Sequence, residues 1–277
     1  MEIFVVDNGS TDGSQEMVKK RFPMVKLIEN SSNRGFAAAN NQAIKISKGE
    51  FILLLNSDTL LFDDSIERLL MYMKEHPNVG IAGLQLLNSD GTIQHSIANT
   101  PSLITELTNK SLLRRLFPKR FYDKNYFHSG VYDVDSLIGA CMMVRASLIR
   151  SIGLLDEDYF FFLEETDWCL RAKKHGWRVV FLPDLHIYHL QGGSAKVVPV
   201  EARIEYWRSR YTFFKKHYGE LTNYILRFGL FIRLLLDTLF SASLSPFSKR
   251  AGERLSIYKR LLLWHILGMP RNWGLNK

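Results

Sequence analysis

Residues 51–58, FILLLNSD, constrain the fold more than any other stretch of the chain. Five apolar residues that give way at once to Asn56, Ser57 and Asp58 have the length and branching of a buried parallel strand. In open α/β sheets ligands collect at the carboxyl ends of such strands, so a carboxylate is delivered to the expected crevice. An Asp there suits a hard cation, Mg2+ or Mn2+, which fills the rest of its shell with water and phosphate oxygens. The working expectation is a metal–diphosphate site. The plainer alternative is a polar turn, since all three residue types favour turns.

Alternation around this run is that of an α/β domain. Strand-like segments at 2–6, 25–28, 79–87 and 178–182 are interleaved with helical patterns at 15–21, 36–47, 65–75, 146–152 and 164–174. Asp7 to Ser14 is a dense turn signal that also offers helix caps, and Asn88-Ser89-Asp90-Gly91 reads as a hairpin turn. Residues 131–144 read as an apolar strand pair broken by Gly139, whereas 96–130 has no clear period and reads as a loop or substrate-side insertion. The expected fold is a mixed, mostly parallel sheet flanked by helices.

At 277 residues and 46% apolar content the chain can bury one substantial core and carry an appendage. Cys141 and Cys169 are too few for a disulfide framework or a zinc cluster, which fits a reducing cytoplasm, and no charged-then-apolar leader precedes residues 3–6. The net charge of +8 is concentrated at the end: from Tyr224 onward nine Lys or Arg face two acids, a local balance of +7, which leaves +1 for the first 223 residues. No nucleic-acid motif accompanies those charges, so nucleic acid is not an expected partner. The boundary is expected at 215/216, with a domain at 1–215 and a basic amphipathic helical tail at 216–277.

Between residues 156 and 167 six acids surround three consecutive phenylalanines. Glu164, Glu165 and Asp167 open a helical pattern in which Glu164 and Asp167 share a face and Glu165 is rotated by about 100°. One reading of this crowding is a carboxylate whose pKa is raised by like charges and an aromatic wall. The other is the ordinary enrichment of acids in a helix's first turn, with Asp167 capping or pairing with Arg171.

The segments VVDNGSTDGS, NRGFAAANNQAI, LLLNSD, LIGACMMVRAS, GLLDEDYFFFLEETDWCLRAKKHGW and IYHLQGGS, in this order, resemble the family 2 glycosyltransferases of the GT-A fold, especially the rhamnosyltransferase-like branch. The resemblance implies inverting transfer of a sugar from a dTDP- or UDP-linked donor to a glycan or lipid-linked acceptor in cell-surface polysaccharide synthesis. It implies that Asp7 meets the nucleobase and that Asn8, Ser10, Asn33, Arg34, Gly35, Asn56 and Ser57 surround the nucleotide. Asp7 read alone is better explained as a cap of the following helix. Asp58 matches the second acid of the family's D-x-D metal motif, with Asn56 in place of the first. His189 matches a metal-shell histidine, with His186 as a competitor. Glu165 matches the base and Glu164 its acidic neighbour, although the family more often has Asp at the base position. Gly139, Ala140, Asp167 and Trp168 are then expected near the acceptor or donor sugar, with core packing the simpler role for the aromatics. The family usually has one more strand before residues 2–8, so the chain is expected to lack that piece. Two rivals remain: an inactive or weakly active membrane-associated glycan-binding scaffold, and a sugar-nucleotide nucleotidyltransferase, although DNGSTDGS lacks the basic residue of such a phosphate loop.

Residues 224–244 tempt a membrane-spanning reading, but Arg227, Arg233 and Asp237 interrupt them within an arc of about 120°. That pattern, repeated at 255–267, predicts helices lying on the anionic cytoplasmic face of the inner membrane. The competing use is packing against the catalytic domain or a homodimer partner.

Overall fold

A computed structural model describes residues 1–61, 64–121, 129–190 and 199–275. Strands β1 (Phe4–Asp7) and β2 (Lys26–Glu29) pair in parallel, Asp7 opposite Glu29, with helix α1 (Ser14–Arg21) between them in the chain. Helix α2 (Phe36–Ile46) then leads to β3 (Phe51–Leu55) and the short β4 (Thr59–Leu60). Helix α3 (Ser65–Glu75), β5 (Val79–Leu87) and β6 (Ile97–Ala98) follow. The expected loop at 96–130 contains two short helices, α4 (Leu103–Leu107) and α5 (Lys110–Leu116). Their five and seven residues are too few to show a helical period. The local signal for α4 is its capping box, in which Ser102 and Thr105 bond reciprocally. Residues 122–128 of that expected loop lie outside the described residues.

Strands β7 (Tyr132–Asp133), β8 (Ser136–Leu137) and β9 (Cys141–Arg145), helices α6 (Ala146–Ile152) and α7 (Glu164–Lys174), and β10 (Arg178–His189) complete the sheet domain. The main sheet runs β3-β9-β5-β10-β4, with β7 also on β10. It is mixed, as expected, but not mostly parallel. β9 lies antiparallel between β3 and β5, while β4 and β7 add antiparallel pairs to β10, so β5–β10 is the parallel pair of this sheet. FILLL thus pairs with an antiparallel neighbour. An apolar run covered by helices loses the alternation that would mark its pairing.

Both faces of the sheet are covered. Along β9, Met142 and Val144 join one cluster with Trp168, Cys169 and Ala172 of α7, and Cys141 and Met143 join another with Leu69 and Met73 of α3. This is the period-two alternation of a strand buried on both sides. In β10 the register with β5 slips between Leu182 and His186, at Pro183, which has no N–H to give the ladder.

Contacts divide the chain into two units. The first holds residues 1–100, 117–159 and 164–192; the second holds 101–116, 160–163 and 193–277. The second unit is built on α8 (Pro199–Leu244), broken at Gly219 (φ 83°), and α9 (Lys249–Ile266). The expected boundary at 215/216 falls inside α8. Phe213, Phe214, Leu226, Leu261 and Trp264 are buried in this unit, and Tyr211 Oη lies 2.8 Å from His265 Nε2. Among the described residues no helix is long and apolar enough to cross a membrane.

Candidate active site

The loops after β1 and β2 interlock through asparagines. Asn8 Nδ2 donates to Asn33 Oδ1 (2.9 Å) and to the Gly35 carbonyl (3.2 Å), and Asn8 Oδ1 accepts from the Arg34 N–H (3.0 Å). Asn33 Oδ1 also accepts from the Gly35 N–H at 2.9 Å. Four residues expected around the nucleotide therefore form one hydrogen-bonded cluster. Gly35 caps α2 with φ 83° and ψ 171°, a conformation open in practice only to glycine. The amino end of α2, where anions are favoured, thus lies beside the exposed Arg34.

Asp7 is 7% exposed, and its Oδ1 accepts from the backbone of Gly9 (3.1 Å) and Ser10 (3.0 Å) and from Gln15 Nε2 (2.6 Å). Burial opposes its ionisation, but the hydrogen bonds from Ser10, Gln15 and Gly9 outweigh burial and hold its carboxyl below the ordinary range. Asp7 therefore organises its own loop, and α1 is capped instead by Gly13, whose φ is 86°.

At the other end of the site, the antiparallel pairing of Leu55 with Cys141 sets the carboxyl end of β3 beside the start of β9. The Asn56 N–H donates to the Ala140 carbonyl at 3.0 Å. Beyond it the chain turns into β4, whose Thr59 pairs with His189 of β10, and this register carries Asp58 to His189. Asp58 Oδ1 lies 3.2 Å from His189 Nε2, while His189 Nδ1 lies 2.8 Å from Gln94 Oε1. A Gln oxygen can only accept, so Nδ1 carries the proton and Nε2 turns toward Asp58. Two electron-rich atoms 3.2 Å apart call for a proton or a cation between them. Neighbouring ligands of an octahedral ion at ~2.1 Å stand roughly 3 Å apart, so the pair fits a divalent ion. The orienting amide on Nδ1 is the usual outer partner of a ligating histidine. Of the two candidate histidines it is His189 that stands beside Asp58; the backbone N–H of His186 donates to Ser65 Oγ at 3.3 Å.

Gly139 connects the two clusters. Its α-carbon faces both Phe36, the first residue of α2, and Glu165: a β-carbon built there would lie 3.6 Å from the Phe36 ring and 3.7 Å from Glu165 Cβ. Glu165 is half-buried, and its Oε2 is shielded from solvent without a hydrogen-bond partner. Burial, only partly offset by the backbone N–H groups of Glu165 and Thr166, pushes its carboxyl up to about 7. Glu164 lies deeper, 4% exposed. Phe162 (φ 72°) and Leu163 (φ 68°), just before α7, are in the left-handed region, which bulky residues rarely adopt. A strained turn thus leads directly into the two carboxylates.

Three expected sugar contacts do not survive. Trp168 is completely buried and its Nε1 donates to the Gly153 carbonyl at 2.9 Å, so no ring face is left for a sugar. Asp167, also completely buried, is held by Arg171 Nε at 2.7 Å, and that guanidinium further donates to the Ile152 and Leu154 carbonyls. This is the pairing alternative raised by its position. The Ala140 methyl is 2% exposed and faces the core, so its contribution is the carbonyl that anchors Asn56. Conversely, Gln94 had no local signal, because its partner His189 is 95 residues away. Residues 191–194, the end of the IYHLQGGS segment, lie outside the described residues.

The chain is similar to known glycosyltransferases in sequence and in fold. The N-acetylglucosaminyl-diphospho-decaprenol L-rhamnosyltransferase of Mycobacterium tuberculosis is 28% identical over 228 residues, covering 77% of this chain and 74% of that protein. The dTDP-rhamnosyl transferase RfbF of Shigella flexneri is 27% identical over 220 residues, covering 76% and 69%. The mannosyltransferase PcManGT of Pyrobaculum calidifontis, solved with GDP-Man and Mn2+, superposes with a TM-score of 0.50 at 15% identity over 98% of this chain and 78% of that one. At that identity the likeness shows the fold alone, which is GT-A. The model of the family described as Glycosyl transferase family 2 matches residues 1–153, and the chain belongs to that family of glycosyltransferases.

Proposed function

We propose that this glycosyltransferase is metal-dependent and inverting, and that it moves a sugar, with rhamnose from dTDP-rhamnose the first candidate, to a lipid-linked glycan acceptor of cell-envelope synthesis. The observation that carries the reading is the shielded carboxylate of Glu165, beside Gly139, whose neighbour Ala140 holds the N–H of Asn56 two residues before the Asp58 that faces His189. A base that titrates near neutrality can take a hydroxyl proton at physiological pH. Glu165 accepts the acceptor hydroxyl's proton as its oxygen attacks the anomeric carbon. The bond from that carbon to the diphosphate breaks, and the nucleoside diphosphate leaves with the bonding electrons. Asp58 and His189 are the residues that would hold Mn2+ or Mg2+, with imidazole favouring Mn2+. When bound, the ion supplies positive charge against the leaving diphosphate. Asn8, Asn33, Arg34 and Gly35 orient the nucleotide, and the amino end of α2 adds favourable potential.

The names of the relatives support the donor and acceptor classes: one acts on a diphospho-decaprenol-linked sugar and one is a dTDP-rhamnosyl transferase. Exposed Phe228, Leu236, Leu239 and Phe240 on α8, amid the basic tail, support docking on the cytoplasmic face of the membrane. The test is release of nucleoside diphosphate from dTDP-rhamnose and UDP-sugars with Mn2+ and a short prenyl-diphosphate-sugar acceptor. Turnover that needs the ion and is lost in Glu165→Gln supports the reading. If every donor stays intact, it is refuted.

A further inference from the structure

The helical unit contains a cavity that none of the chemistry above uses. It has a volume of about 420 Å³, within the range of small-molecule sites. Four cationic side chains line it (Lys110, Arg203, Arg210 and Arg233) against two carboxylates, Glu106 and Asp237. The lining therefore carries a surplus of two positive charges.

The arrangement is more than a set of satisfied ion pairs. Glu106, 3% exposed, is shared: it pairs with the buried guanidinium of Arg210, and Lys110 Nζ stands 3.8 Å from its Oε1. Arg233 reaches Asp237 only at 3.9 Å, too long for a hydrogen bond, and its Nη1 donates to the Glu106 carbonyl at a long 3.4 Å. The Arg203 guanidinium lies 6.0 Å from the centre of the Tyr258 ring. Arg210 is 8% exposed, and its Nε is buried with no acceptor. A buried charged donor left unpaired is costly and calls for a partner. Arg forks of this kind match phosphate oxygens in both geometry and charge.

Along α8, Arg233, Leu236, Asp237 and Phe240 fall on one face by their spacing of three and four. Leu236 and Phe240 are 60% and 66% exposed, so an apolar track leads away from the cationic cavity.

We propose that this cavity binds the diphosphate of a polyprenyl-diphosphate-linked acceptor, with the prenyl chain laid along Leu236 and Phe240. The identity of the ligand rests on the lipid-linked acceptor reading above; the oxyanion chemistry rests on the cavity itself. Inorganic diphosphate and an anionic lipid headgroup share that chemistry, and the prenyl diphosphate alone combines it with a chain matched to the track.

The test is a titration of the full chain with geranylgeranyl diphosphate, followed by calorimetry in EDTA so that ion-dependent binding elsewhere is silent. The double substitution Arg203→Glu, Arg233→Glu changes two exposed side chains and should weaken binding tenfold or more at an unchanged melting temperature. Arg203→Lys with Arg233→Lys should retain most of the affinity. Inorganic diphosphate should compete, and Glu165→Gln should bind as the parent does. Equal affinity in parent and Glu variant overturns the proposal. So does adsorption to phosphatidylglycerol vesicles that inorganic diphosphate cannot displace, without binding of the soluble prenyl diphosphate. If no nucleotide sugar is turned over but prenyl diphosphate still binds with the predicted sensitivity, the reaction assignment fails and the cavity assignment stands.

Discussion

Replacing Glu165 with Gln should raise stability and abolish turnover, and the two effects have one physical cause. In the folded state burial pushes this carboxyl up to about 7, against 4.5 when exposed. Between these values the folded chain holds the proton that the unfolded chain releases, so stability falls as pH rises through this window. The cost is absent below pH 4.5 and complete above pH 7. Integrated from pH 5 to pH 8, the shift amounts to roughly 2–3 kcal/mol. Glutamine keeps the shape and cannot ionise, so Glu165→Gln should gain on the parent by an amount of that order between those two pH values. Urea melts of both proteins at pH 5 and pH 8, without ion or donor, measure this directly. The same change removes the proton acceptor and should lower kcat by about 10²- to 10⁴-fold. In the parent, activity should fall below about pH 7 as Glu165 becomes protonated. A stability difference that does not change with pH, or turnover that survives the substitution, would refute the shielded-base argument.

Other substitutions separate scaffold from chemistry. Gly35→Ala forces a β-carbon into a conformation with φ 83°, costing about 1–3 kcal/mol, and by disturbing the Asn8–Asn33 cluster it should weaken nucleotide binding measured by calorimetry. Asp167→Ala leaves the Arg171 guanidinium without its carboxylate and should cost about 3–5 kcal/mol in a thermal melt; where the fold survives, KM for the acceptor should be unchanged. Gln94→Leu removes the group that fixes the His189 tautomer and should weaken Mn2+ affinity by about 10- to 100-fold; it also removes the bonds to Asn88 Oδ1 and the His189 carbonyl, so the affinity is compared on protein whose circular dichroism shows a retained fold.

What the sequence made legible is what short-range forces determine. Helices α3, α6 and α7 and strand β5 have the expected bounds because their apolar period and flanking turns lie within each segment. The pairing partner of β3 was not legible, since a continuous apolar run carries no mark of direction; nor was its place at the sheet edge, where Leu54 is buried and Leu55 exposed. The same division runs through the site. Asn8, Asn33, Arg34 and Gly35 stand in short polar loops and meet as a cluster, whereas the choice of His189 over His186 depends on the slip at Pro183 and on a pairing with Thr59 far away in the chain. Trp168 shows the limit from the other side. By sequence an aromatic beside acids can be a sugar platform or, more simply, a core residue, and its bond to the Gly153 carbonyl and complete burial decide for the core.

The proposed reaction requires a cation held between Asp58 and His189. Electron paramagnetic resonance of Mn2+, titrated into the parent, Asp58→Ala and His189→Ala with dTDP present, measures this without turnover. The parent should deplete the free-ion signal in a dTDP-dependent way, and each substitution should restore most of it. Equal depletion by all three proteins would place the ion elsewhere and contradict the account.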